Sequence, residues 1–171
     1  MTGYQCSTCG KWHDDLPMSF GAEAPYHYSV VAPEEREWRV DLGSDQCVID
    51  GEYYFVRGCL EVPVIDGDES FTWGVWVSLS ETSFERMSEL WETPGRENEP
   101  AYFGWLSTSV PCYPDTLNLK AQVHTRPLGE RPLVELEPTE HPLAVEQQVG
   151  ITMARVKEIV ECVIHDSTAS V

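Results

Sequence analysis

Between Phe71 and Leu79 the chain alternates with a period of two: Phe71, Trp73, Val75, Val77 and Leu79 interleave with Thr72, Gly74, Trp76 and Ser78. An extended chain places every second side chain on the same face, so this segment can bury its large residues together only as a strand in a sheet. Two turn signals precede it, Asp50-Gly51 and Asp66-Gly67. The first, flanked by Cys47–Ile49 and Tyr53–Val56, predicts a hairpin, because Asp-Gly tolerates the positive φ angles that tight hairpin loops need. Further strands are predicted at His27–Ala32, Trp38–Leu42, Gln46–Asp50, an apolar run from Tyr53 to Ile65 broken at Gly58 and Pro63, Leu119–Thr125 and Leu133–Leu136, and Tyr102–Leu106 is a further short segment between them. The Pro-rich stretch Val110–Asp115 reads as a loop.

Helical spacing appears in three places. Thr82 with Glu85 makes a capping-box pattern ahead of Phe84, Met87, Leu90 and Trp91, and Pro94-Gly95 ends that helix. Thr139 can cap a helix through Gln148, with Gly150 at its end, and Thr152 a final one whose Met153, Val156, Ile159, Val160 and Val163 share a face. The pattern predicts an α+β fold, an antiparallel or mixed sheet with C-terminal helices and an N-terminal zinc-knuckle-like segment. At 171 residues, 1–171 is expected to form a single domain, with the Cys/His-rich start 1–20 packed on its body.

Composition narrows the function classes. Eleven Lys and Arg against 29 Asp and Glu leave a formal charge of −18, which removes nucleic acid and anionic membrane surfaces as generic partners. An apolar content of 42% with six Trp, seven Tyr and five Phe excludes disorder. No run of 18 apolar residues is present to span a bilayer, and the start MTGYQCSTCGKWHDD has neither the basic nor the apolar part of a secretory signal. Six cysteines in a chain this long and aromatic need not be disulfides, so a cytoplasmic location is expected.

The sharpest chemical motif is Cys6-Ser-Thr-Cys9-Gly10-Lys-Trp-His13. Two thiolates two residues apart can reach one tetrahedral ion, and His13 follows at the distance of a third ligand. Closed structural zinc sites are four-coordinate, so one more donor must come from elsewhere; Cys47, beside a turn, is the first choice, with His27 and His141 next. A redox dithiol usually follows a strand and opens a helix, and here only five residues precede Cys6. Cys59, Cys112 and Cys162 read as core packing.

Catalytic signatures are missing: there is no nucleophile elbow, HExxH, phosphate loop or dinucleotide fingerprint. His124 near Glu135 and Glu137 is a pairing that 29 acids make common. The segment from Arg126 to Arg131 suits either an anion-facing loop or a hairpin carrying salt bridges. On the helix at 81–93, Glu81, Glu85, Glu89 and Glu92 stand opposite the apolar face, where like charges four apart cost about 0.2–0.5 kcal/mol a pair. This stripe is either a solvated face or a docking strip for a basic protein partner.

Taken in order, CSTCGKWH, SDQCVIDGEYYFVRG, FTWGVWVSLSE, YFGWLST and LEPTEHPLAVEQQVGIT resemble the bacterial domain-of-unknown-function 2199 family, over nearly the whole chain. The resemblance implies a small bacterial, cytoplasmic, single-domain protein and supplies no activity. Together these readings predict an uncharacterised zinc-stabilised bacterial protein that binds another protein through an acidic surface. The competing expectation is a metal-dependent hydrolase with Cys6, Cys9 and His13 on zinc and a water in the fourth position.

Overall fold

In the computed structural model, residues 3–6, 9–13 and 16–166 are described. The alternating segment is β7 (Phe71–Leu79), and it pairs antiparallel with β6 (Tyr53–Val62) through nine registered residues, from Tyr54↔Leu79 to Val62↔Phe71. The opposite edge of β7 runs beside β8 (Tyr102–Leu106), which pairs with β9 (Lys120–His124), which pairs with β10 (Leu133–Leu136). The last of these returns to β6 as a parallel neighbour at Leu133↔Cys59, where the Cys59 N–H donates to the Pro132 carbonyl at 2.8 Å. The ring β6-β7-β8-β9-β10 is therefore a small barrel, which removes the exposed edges that five open strands would present. Gly58 makes the closure possible: a Cβ there would meet Val134 Cγ2 at 2.7 Å and the Pro132 carbonyl at 2.9 Å.

Both long strands extend past the ring. β5 (Gln46–Ile49) pairs with β6 at Tyr53–Val56, β4 (Val40–Leu42) pairs with β5, and β3 (Ser19–Gly21) runs parallel to β7. The sheet is mixed, within an α+β fold. Its two faces carry two cores. Val56, Leu60, Phe71, Trp73, Val75, Val77, Leu106 and Val123 fill the barrel together with Val156, Ile159 and Val160 of the last helix. On the outer face, Phe55 and Trp76 join Val31, Cys47 and Ile49 in a smaller cluster. Trp76 is thus the exception to the alternation, a large side chain on the outward face that needs a cover of its own. Its indole N–H donates to the Ala22 carbonyl at 2.9 Å.

The segment supplying that cover departs from expectation. Instead of a strand at His27–Ala32 there is a short helix, α1 (Tyr26–Val30), and Arg36–Arg39 form a helical turn, α2, ahead of β4. The β-branched and aromatic composition suggests a strand, but the segment lies between Pro25 and Pro33 and docks through Val31 and the His27 ring rather than along a sheet edge. The predicted hairpin at Asp50-Gly51 is present, closed by Glu52 N–H donating to Ile49 O at 3.1 Å.

The first long helix, α3 (Glu81–Glu89), is capped by Ser80, whose hydroxyl accepts from Ser83 N–H at 3.1 Å, rather than by Thr82. Glu92 lies beyond its end. In α4 (Pro142–Val149) the cap is the His141 ring, not Thr139, with Leu143 N–H donating to Nδ1 at 3.1 Å. One α4 side chain, Gln147, bridges to β10: it donates to Val134 O and accepts from Leu136 N–H, both at 2.8 Å. Thr152 caps α5 (Met153–Asp166) as predicted, accepting from Arg155 N–H at 3.1 Å.

Cys112 and Cys162 are not separate packing residues. The loop after β8 folds back over α5, brings their Cα atoms to 6.2 Å and joins them in a disulfide across a sequence separation of 50. Closing a loop of that length restricts the unfolded chain by about 4 kcal/mol in the chain-entropy picture. A Cys112→Ser/Cys162→Ser double variant is therefore expected to unfold at markedly lower urea, with a stability loss of roughly 2–4 kcal/mol in equilibrium denaturation.

Candidate metal centre

The N-terminal motif folds as a knuckle. β1 (Tyr4–Gln5) and β2 (Trp12–His13) pair antiparallel, with Tyr4 opposite His13. Between them Cys6 N–H donates to Lys11 O and Gly10 N–H to Cys6 O, both at 2.9 Å. Gly10 sits at φ +72, a left-handed angle that an L side chain adopts at a cost. The reversal brings the donor atoms of Cys6, Cys9 and His13 within 4.8 Å of one another. Cys9 Sγ lies 3.6 Å from His13 Nε2. Bond lengths of about 2.3 Å to sulfur and 2.0–2.1 Å to nitrogen put neighbouring donors of a tetrahedral ion roughly 3.6 Å apart, so this edge of the site already has its length.

Burial differs among the three: Cys6 is 1% exposed, within the main core, whereas Cys9 is exposed and His13 half-buried. The His13 ring stacks on Tyr4 with centroids 5.2 Å apart and planes 25° from parallel, which holds the imidazole in place. Tyr4 in turn faces α5, with the Lys157 ammonium 5.8 Å from its ring centroid. Its hydroxyl titrates above the ordinary tyrosine value, first because it is buried and then because Cys6, Glu161 and Cys9 place negative charge nearby. One more side chain reaches the knuckle: His165 Nε2, on the last turn of α5, stands 3.1 Å from Cys6 Sγ.

The other predicted donors lie elsewhere. Cys47 is fully buried in the outer cluster, opposite Leu42 and Phe55 in the sheet, while Cys6 belongs to the barrel core. Burial and the charge of Asp41 push the Cys47 thiol up to about 11, the reverse of what a ligand needs. His27 rests on the Phe55 ring at 5.1 Å, and burial lowers its pKa. His141 is a helix cap, with Nε2 also 3.0 Å from Asp115 O. Spacing along the chain identified Cys6, Cys9 and His13, but no local pattern links residue 165 to residue 6; only the docking of α5 does.

Other candidate chemistry is weaker. His124 Nε2 stands 4.0 Å from Glu135 Oε1 beside an open cleft that Glu61, Leu133 and Gln147 also line, and no serine, threonine or cysteine is among its described lining residues. The Arg126–Arg131 loop is a hairpin carrying salt bridges. Arg131 Nε donates to Asp45 at 2.8 Å, and Arg126 lies 3.9 Å from Glu61. Burial works to raise the Asp45 pKa, but hydrogen bonds from Arg131 and Ser44 outweigh it and hold the carboxyl below its usual value. The loop is pinned from beneath by Arg96, 8% exposed, whose guanidinium donates to the carbonyls of Arg126, Trp91, Pro127 and Glu130 at 2.8–3.1 Å.

Fold and site together define a small α+β barrel protein with a Cys-Cys-His group, able to hold a metal ion, at its N-terminal knuckle. The chain belongs to a family described as an uncharacterised protein conserved in bacteria, DUF2199, which it matches over residues 5–151. No curated protein and no solved structure matches it. Among the described residues no helix is long and apolar enough to cross a membrane.

The contrast between the two kinds of cysteine is measurable. In chelator-treated native protein at pH 8, iodoacetamide is expected to modify Cys9 readily and to leave Cys47 unmodified until the chain is unfolded; peptide mass mapping of the two sites checks this.

Proposed function

We propose that Cys6, Cys9 and His13 hold a zinc ion that staples the N-terminal segment to the barrel, and that the protein acts by binding a basic protein partner through its acidic surface. The observation carrying the first part is the convergence of two thiol sulfurs and an imidazole within 4.8 Å. Thiolate and imidazole donors in a tetrahedral arrangement select zinc over the hard cations, which prefer oxygen. With Cys6 in the core and Tyr4 stacked on His13, an ion there would tie a two-stranded hairpin to the main body.

The partner reading is supported by the net charge of −18 and by α3, where Glu81, Glu85 and Glu89 are all exposed. Arg86, on the same helix, is engaged by Glu99 and Glu89, which leaves the stripe with little positive charge to offset it. A hydrolase with an open water position is the second reading, favoured by the exposure of Cys9. The number of protein ligands separates the two.

Purified protein is expected to carry one zinc per chain by elemental analysis, and Cys9→Ser to lose most of it. Zinc at a hundred times its dissociation constant would raise stability by about 2.7 kcal/mol, so a chelator should lower the melting temperature of the wild type and not of Cys9→Ser. A basic partner recovered from the native host at low salt should dissociate at high salt and fail to bind Glu81→Gln/Glu85→Gln/Glu89→Gln. Binding insensitive to both changes counts against α3 as the docking strip.

A further inference from the structure

We propose that His165 is the fourth ligand, so that one ion joins the first residues of the chain to the last turn of α5. The inference rests on the reading of Cys6, Cys9 and His13 as a zinc site and settles what completes it. Those three donors form one mutual set, and His165 meets the set through Cys6, at 3.1 Å from sulfur to Nε2. The separation is a few tenths of an ångström under the roughly 3.6 Å edge of a tetrahedral zinc site, and because His165 stands outside the mutual 4.8 Å set, binding requires its imidazole to turn from Cys6 toward Cys9 and His13.

The position of His165 is a product of helix geometry. Lys157, Glu161 and His165 recur every four residues on α5 and so share a face. That face lies on the knuckle at two levels: Lys157 is over the Tyr4 ring, and His165 reaches Cys6. Three residues before His165, Cys162 is bonded to Cys112, so a covalent link within one helical turn of the imidazole positions the end of α5. The chemistry suits the surroundings as well. Two thiolates and two neutral imidazoles cancel the charge of Zn²⁺, and a neutral cluster suits a sulfur that is only 1% exposed. Such a site has no position for a reactive water, which assigns the metal a structural role. It also makes α5, which lies beyond the matched residues 5–151, part of the metal site.

X-ray absorption on the zinc-loaded wild type is expected to show two sulfurs and two imidazoles. Two sulfurs and one imidazole with an oxygen would overturn the proposal. This measurement needs no variant, and so it decides even if a substitution prevents folding. In competitive titrations with Zn²⁺, His165→Ala should keep a stoichiometry of one while its affinity falls by more than the roughly 10–100-fold that loss of an outer-shell partner costs. His165→Cys, which restores a donor, should recover most of that loss, and His141→Ala should bind like the wild type. Unchanged affinity in His165→Ala would refute the fourth ligand and leave the three-residue site standing; a wild type that binds no zinc would instead refute the site itself.

Discussion

The nine-residue pairing of β6 with β7 is the contact on which the other elements depend. Each of these strands is long enough to lend one edge to two different neighbours. β6 meets β5 near its start and β10 further along, while β7 meets β3 near its start and β8 near its end. One pair of strands can therefore close a barrel and still carry an outer layer. The requirement is a glycine at the closure, because β10 passes so near Gly58 that a side chain there would collide with Val134 and the Pro132 carbonyl.

Polar groups are organised around the same frame. Arg96 gathers four carbonyls of the loops beneath α3, Gln147 satisfies both a donor and an acceptor on β10, and Thr116 bridges the loop after β8 by donating to Thr108 O and accepting from Val110 N–H. Each replaces water for backbone groups that a short-stranded barrel leaves outside its ladders, where an unpaired buried group is costly. The knuckle is held differently. Its own pairing covers only two residues a side, and its order comes from Tyr4 and Cys6 entering the core and from α5 lying against it.

Where hydrophobic period and turn chemistry agreed, the sequence foretold the element closely: β7, β9, β10 and the cap of α5 at Thr152 fall at or near the expected residues. It misled at 26–39, where aromatic and β-branched residues suggested a strand and tertiary docking produced short helices. Caps were misplaced by two residues at both α3 and α4, where Ser80 and His141 take the place of Thr82 and Thr139. The Cys6, Cys9 and His13 grouping was legible because all three lie within one turn of chain, whereas the approach of His165 to Cys6 was not. Cys47 looked available beside its turn, yet its alternation in β5 points it into a core.

By itself, then, the sequence determined the α+β class, the central strand, the local Cys6-Cys9-His13 grouping that could hold a metal ion and a strongly negative charge total, each a property of short-range spacing or of composition. Tertiary structure decided the rest. The parallel return of β10 to β6, the disulfide between Cys112 and Cys162, and the arrival of His165 at Cys6 join residues separated by dozens to more than a hundred positions. No local period records such pairs; they follow from how a closed barrel and the helix packed against it fill space.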